Sequence, residues 1–157
     1  MKQILLILLE NESGSLSRVI GLFSQRGYNI ESITVSPTED TTISSMTIQT
    51  NGDKKIISQI EKQLRKLINV LKVQQIQQTK YIECEIMLIK IKNSGYDIQN
   101  MKIIIDIFHG KIVHTHYNTY IVKIIGTNKR INEFLKMIKT TSKIIEMSRS
   151  GIIGIEK

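Results

Sequence analysis

Alanine and tryptophan are absent from this chain of 157 residues, cysteine and proline occur once each, and aromatic residues make up only 5%. A single cysteine, Cys84, excludes an internal disulfide and fits a reducing compartment. It lies in a strand-like run, which reads as a buried structural thiol and not as a nucleophile. The shortage of aromatics removes the platform on which single-stranded RNA modules stack bases. The runs Ile4 to Leu9 and Ser45 to Gln49, where such rings would sit, have none, so no nucleic-acid partner is expected. No apolar run is long enough to span a membrane. Ile4 to Leu9 is too short and is followed by acidic residues where a signal peptide would carry small ones. The expectation is a cytoplasmic chain with no membrane partner.

Basic residues outnumber acidic ones, 22 to 14, for a formal net charge of +8. The basic residues are spread out. Lys54, Lys55, Lys62, Arg65 and Lys66 fall on the polar side of one helical stripe, the pattern of a solvated face. Catalytic patterns are missing. Ser13 and Ser15 flank Gly14 without making Gly-x-Ser-x-Gly, and no histidine is local. His114 and His116 share a strand face, but no Cys or acidic residue nearby completes a metal set. No metal site and no catalytic residue are expected, and the pair reads as solvent-facing imidazoles at a hairpin end.

What is present is a repeated pattern. The apolar run Ile4 to Leu9 ends at Glu10, and Ser13-Gly14-Ser15 supplies turn chemistry and an N-cap. Leu16, Val19, Ile20 and Phe23 then follow at helical spacing. Gly27 stands where a helix needs a left-handed residue to stop. A second strand, Asn29 to Val35, leads through Pro37 and a polar hairpin, Thr38 to Thr42, into a third strand with Met46 and Ile48 on one face. Asn51-Gly52-Asp53 caps a helix burying Ile56, Ile57, Ile60, Leu64, Leu67 and Ile68, and Val70 to Ile76 is a fourth strand. After a polar linker within Gln74 to Lys80 the order repeats. Ile82 to Lys92 is a strand with Cys84, Ile86 and Leu88 on one face. Asp97 caps a helix through Ile98, Met101, Ile105 and Phe108 that stops at Gly110. Strands Lys111 to His116 and Tyr120 to Ile125 follow. Thr127 or Asn128 caps a helix through Ile131, Phe134, Leu135 and Ile138, and Ile144 to Ser148 closes the unit.

This is an α+β chain of two ferredoxin-like βαββαβ units, residues 1–76 and 81–157. Exposed apolar sheet edges invite a second copy, so a homodimer is expected. The first strand-to-helix turn leaves helix N–H groups beside the amides of Asn11 and Asn29, taken to lie at adjacent strand ends. Such a helix start suits a carboxylate or phosphate. With no lysine or acid–base pair beside it, the corner is suited to holding a small anion-bearing ligand and not to transforming one. Tyr28 is expected to pack at the helix end, and Arg18 and Arg26 to face solvent or a partner.

The run Leu9-Glu10-Asn11-Glu12-Ser13-Gly14-Ser15-Leu16-Ser17-Arg18-Val19-Ile20, continuing through Gly27-Tyr28-Asn29-Ile30-Glu31-Ser32, closely resembles the regulatory small subunits of bacterial acetolactate synthase. The likeness continues at Met46 to Thr50 and Gln59 to Leu64. It thins to islands at Glu85 to Lys90 and Arg149-Ser150-Gly151. It implies an amino-terminal ACT domain that binds an amino acid, followed by an ACT-like domain. It implies a homodimer that associates with a large catalytic subunit, raises its activity and confers feedback inhibition by valine in branched-chain amino-acid biosynthesis. The cofactors, thiamine diphosphate, Mg and FAD, would belong to that partner and none to this chain. The family's ligand site, at the interface of paired ACT domains, carries over to Asn11, Gly14, Ser15, Leu16, Asn29 and Ile30. Ser15 departs from the alanine expected there, a change that bears on the strength of valine inhibition. The competing reading is a free-standing ACT-type sensor of another enzyme or of a transcription regulator.

Overall fold

A computed structural model of the chain describes residues 2–76, 81–92 and 98–157. Among them are nine strands and four helices: β1 (Lys2–Glu10), α1 (Ser15–Gln25), β2 (Ile30–Pro37), β3 (Ile43–Asn51), α2 (Lys54–Leu64), β4 (Val70–Ile76), β5 (Tyr81–Lys92), α3 (Ile98–Ile107), β6 (Lys111–His116), β7 (Thr119–Gly126), α4 (Asn128–Thr141), β8 (Lys143–Arg149) and β9 (Ile153–Glu156). The βαββαβ order occurs twice, as the periodicity predicts. The expected cap Asp97 and residues 77–80 of the expected linker lie outside the described residues.

The first sheet has the order β2-β3-β1-β4, with every neighbouring pair antiparallel. Alternation along β1 sends Leu5, Ile7 and Leu9 to one face. There they meet Val19 and Phe23 of α1, Ile57, Ile60 and Leu64 of α2, and Met46 and Ile48 of β3. The second sheet has the order β6-β7-β5-β8 and repeats the arrangement. Met87, Ile89 and Ile91 of β5 pack with Met101 and Ile105 of α3 and with Ile131, Phe134 and Ile138 of α4. Ile86 and Leu88 share a face as expected, and it is the half-exposed one. Within this unit the buried Glu85 carboxylate takes two bonds from Arg149, at 2.7 and 2.6 Å. Arg149 also donates to Asn132 at 2.9 Å, tying β8, β5 and α4 together.

Compactness divides the chain differently from the sequence-read boundary. One unit runs to Ile82 and takes back Ile152–Lys157, and the other is Glu83–Gly151. The sequence reading missed β9, a four-residue strand that pairs with β5. In the first unit, Ile152 and Tyr81 form a small apolar cluster with Ile4 and Ile76, which the reading of 81–157 as one unit did not foresee.

The caps hold in part. Asp53 accepts from the Ile56 amide at 2.8 Å, and Thr127, not Asn128, caps α4 by accepting from Arg130. Gly27 has φ 67° and ends α1, with Tyr28 edge-on to Phe23. The left-handed residue that ends α3 is His109, one position before Gly110. Ile68, expected in the core, is 85% exposed because α2 stops at Leu64 and the chain turns before it. Cys84 is free and half-buried in β5.

Candidate ligand-binding site

The β1–α1 turn is held from two sides. The Glu10 amide donates to the Asn69 carbonyl at 2.9 Å, and the Asn11 amide donates to the Thr42 carbonyl at 2.7 Å. Asn69, itself buried, donates from its side chain to Glu10 at 2.7 Å and accepts from Arg18. Arg18 therefore braces the turn from α1 instead of simply facing solvent. Gly14, with φ 89°, is the residue that begins α1, and no side chain caps the helix. The expected serine cap is absent because the left-handed Gly14 takes the capping position, and a residue with a side chain would be strained there. A Cβ built on Gly14 meets nothing within 4 Å, so the constraint on this position in the free chain is backbone conformation and not crowding.

Starting the helix this way sets its phase. Ser15, Val19 and Phe23 turn inward, while Leu16 and Ile20, expected in the buried stripe, are each 38% exposed. The Ser15 hydroxyl is buried and has no hydrogen-bond partner among the described residues. The amides of Leu16 and Ser17 in the first turn remain available, as at any uncapped helix start.

Against this turn lies a cavity of about 180 Å³, lined by the β1 end and turn (Leu9 to Glu12), by Ser15 and Leu16, and by Val35, Ser36, Pro37 and Ser44. A second cavity, of about 520 Å³, shares Glu10, Asn11 and Glu12 and is bounded by Thr41, Thr42, Ile43 and Leu71. Glu12 and Glu10, the latter's carboxylate already accepting from Asn69, bring negative charge to one side of the first cavity. The open helix start supplies donors for an anion, and Leu16, Val35 and Pro37 supply apolar surface. Small zwitterions with an aliphatic side chain match that set.

Of the six residues expected at the site, Asn11, Gly14, Ser15 and Leu16 come together. Asn29 and Ile30 do not join them within one chain. Glu10 is opposite Ile43, whereas Ile30 is opposite Thr50 at the far end of β3. At about 3.4 Å per residue the two ends are roughly 24 Å apart. The asparagines therefore sit at opposite strand ends, not adjacent ones. The Asn29 carbonyl accepts from Thr50 Oγ1 at 2.5 Å. The reading also missed Val35 to Pro37. β1 and β2 both run antiparallel to β3, so they are parallel, and the end of β2 shares the end of β1. His114 and His116 are exposed on β6, and among the described residues no group of three His, Cys, Asp or Glu is placed to hold a metal. No helix among the described residues is long and apolar enough to cross a membrane.

Two family models cover the chain in succession: the ACT domain of the AHAS small-subunit type over residues 5–72, and the small subunit of acetolactate synthase over residues 84–157. The chain belongs to the acetolactate synthase small-subunit family. The small subunit from Buchnera aphidicola of Schizaphis graminum is 57% identical over all of this chain and 99% of that protein. The isozyme 3 small subunit of Escherichia coli is 53% identical over all of this chain and 96% of that protein. Among solved structures, the acetolactate synthase small subunit from Thermotoga maritima superposes with a TM-score of 0.89 at 32% identity, covering all of this chain and 98% of that one. The residues lining the cavity at the β1–α1 turn all fall within the segment that matches the ACT-domain model.

Proposed function

We propose that this chain is the regulatory subunit of an acetolactate synthase, binding valine at the β1–α1 turn and passing its occupancy to a large catalytic subunit. The observation that carries the reading is the first cavity, with carboxylates on one side, an uncapped helix start on another and aliphatic surface between. Valine's carboxylate takes the first-turn amides of α1, its ammonium faces Glu10, Asn11 and Glu12, and its isopropyl group packs on Leu16 and Val35. Full burial of that group contributes about 1.5–3 kcal/mol. For so small a ligand this implies affinity of roughly micromolar or weaker. Thiamine diphosphate, magnesium and FAD belong, on this reading, to the catalytic partner.

A homodimer is part of the proposal, and the edge strand supports it. Among the described residues β2 has a neighbouring strand on one side only, and Val35 is half-exposed. Antiparallel pairing of two β2 edges about a twofold would set the Asn29–Ile30 end of one copy against the Val35–Pro37 end of the other. The six residues of the expected site would then meet across the seam, which a single chain does not achieve.

Reconstitution with the catalytic subunit, measuring acetolactate formation with and without this chain and valine, tests the reading. The chain should raise the rate and valine should lower it again. Gly14→Asp, which brings a carboxylate to the ligand's carboxylate, should abolish the fraction of activity that valine removes. Equal inhibition of parent and variant would refute the site.

A further inference from the structure

We propose that Asp40 is a positioning residue for the effector: by holding the β2–β3 turn it orients the Asn11 carboxamide with its oxygen toward the ligand, so the site requires an ammonium group. The proposal rests on the reading of the first cavity as the effector site and names the chemistry that site selects.

Asp40 lies in the connection between β2 and β3, exposed and remote in sequence from the ligand turn. One of its carboxylate oxygens accepts from the Thr42 amide at 2.9 Å and from Thr42 Oγ1 at 2.6 Å. Its backbone carbonyl accepts from Thr38 Oγ1 at 2.9 Å and from the Ile43 amide at 3.0 Å. Four bonds thus fix the turn, and two consecutive carbonyls of that turn are aimed at Asn11. The Thr42 carbonyl takes the Asn11 backbone amide, and the Thr41 carbonyl takes Asn11 Nδ2 at 2.8 Å.

A carbonyl cannot pair with an amide oxygen, so the contact with Thr41 settles which corner of the carboxamide is which. The nitrogen faces the hairpin, and the oxygen is the corner left for a ligand. Asn11 lines the first cavity together with Glu10 and Glu12, and its oxygen adds an acceptor beside the Glu12 carboxylate and the Glu10 carboxylate that Asn69 also engages. Acceptors gathered on one side of a cavity favour the ammonium of an amino acid. They disfavour the matching 2-oxo acid, which has the same carboxylate and branched chain and brings an oxygen where the ammonium would be. The bonds from Thr42, the side-chain one foremost, also hold the Asp40 carboxyl below its ordinary value, as expected of a charged acceptor that orders a turn.

The test uses the full chain and two probes, valine and 3-methyl-2-oxobutanoate, with binding followed by calorimetry. The parent should bind valine and leave the oxo acid unbound at concentrations where valine saturates. Asp40→Ala should weaken valine about tenfold, the worth of one lost hydrogen bond of this kind. Asp40→Asn, which keeps an acceptor for Thr42, should recover most of the loss. The Asn11 side-chain ¹H–¹⁵N resonance in the free chain is the readout specific to positioning. It should move to the position of a mobile amide in Asp40→Ala and return in Asp40→Asn. Normal valine binding by Asp40→Ala, a loss with the Asn11 resonance unmoved, or equal binding of the oxo acid by the parent would overturn the proposal. A parent chain that binds neither probe would instead overturn the effector reading itself.

Discussion

Replacing Ser15 with alanine removes a hydroxyl that the fold has buried without a partner. The residue is 2% exposed, and its oxygen neither caps the helix nor bonds back to a carbonyl. A buried hydroxyl left unsatisfied costs about 1–3 kcal/mol. Alanine is also the better helix former, by a few tenths of a kcal/mol. The void left by one oxygen takes back part of that gain, so the net stabilisation is about 1–2 kcal/mol. In a unit of this size each kcal/mol moves the melting temperature by about 4–8 °C. Thermal unfolding of the effector-free full chain, followed by circular dichroism, should therefore show Ser15→Ala melting several degrees above the parent. Ser17→Ala is the control: that residue is on the same turn but exposed, and the change should give only the propensity effect. If Ser15→Ala melts at or below the parent temperature, the hydroxyl has a partner, and the account of the helix start given above is wrong.

Arg149→Met should leave the Glu85 carboxylate buried without its cation, with only the 3.3 Å bond from Asn128 among the described residues, costing about 3–5 kcal/mol, and urea unfolding should show the loss in the second unit. Adding Glu85→Leu to that variant should recover most of it, because the desolvated charge is then gone. Asp40 gives a pH effect with a definite sign. Its folded pKa lies below the ordinary 3.8, so its contribution is complete above that value and is lost as pH falls through the folded one. A carbon-detected titration should find its midpoint below 3.8, and Thr42→Val should move the midpoint back up.

Both units are legible as βαββαβ because buried strand faces alternate and buried helix stripes recur at helical spacing, and a single cysteine leaves no internal disulfide to redirect the chain. The phase of α1 was less legible. Apolar residues at 16, 19, 20 and 23 suggest a stripe that includes Leu16 and Ile20, yet the helix turns Ser15 inward and those two outward. Hydrophobicity alone cannot separate an apolar residue facing the core from one facing a cavity or sheet edge. What decides here is the positive φ of Gly14, which fixes where the first turn starts. β9 was invisible for another reason: four residues after a turn carry too short an alternation to register.

The placement of Asn29 is the more instructive miss, because topology could have caught it. In a split βαβ unit the helix carries the chain back before the next strand starts, and that strand runs parallel to the first. The residue after β1 and the residue before β2 must then lie at opposite ends of the sheet, as Asn11 and Asn29 do. A residue set divided between the two ends of one sheet cannot enclose a single small ligand inside one copy. An antiparallel edge contact reverses one copy relative to the other and so pairs unlike ends, which makes the seam the place where such a set could close. A ligand enclosed by groups from both copies is sensitive to their mutual arrangement. It would favour whichever dimer geometry closes around it, and only such unequal affinity can shift an equilibrium between arrangements. On this reasoning the separation of the two asparagines is a requirement of the sensing role: a pocket complete in one chain could bind valine without reporting it to anything.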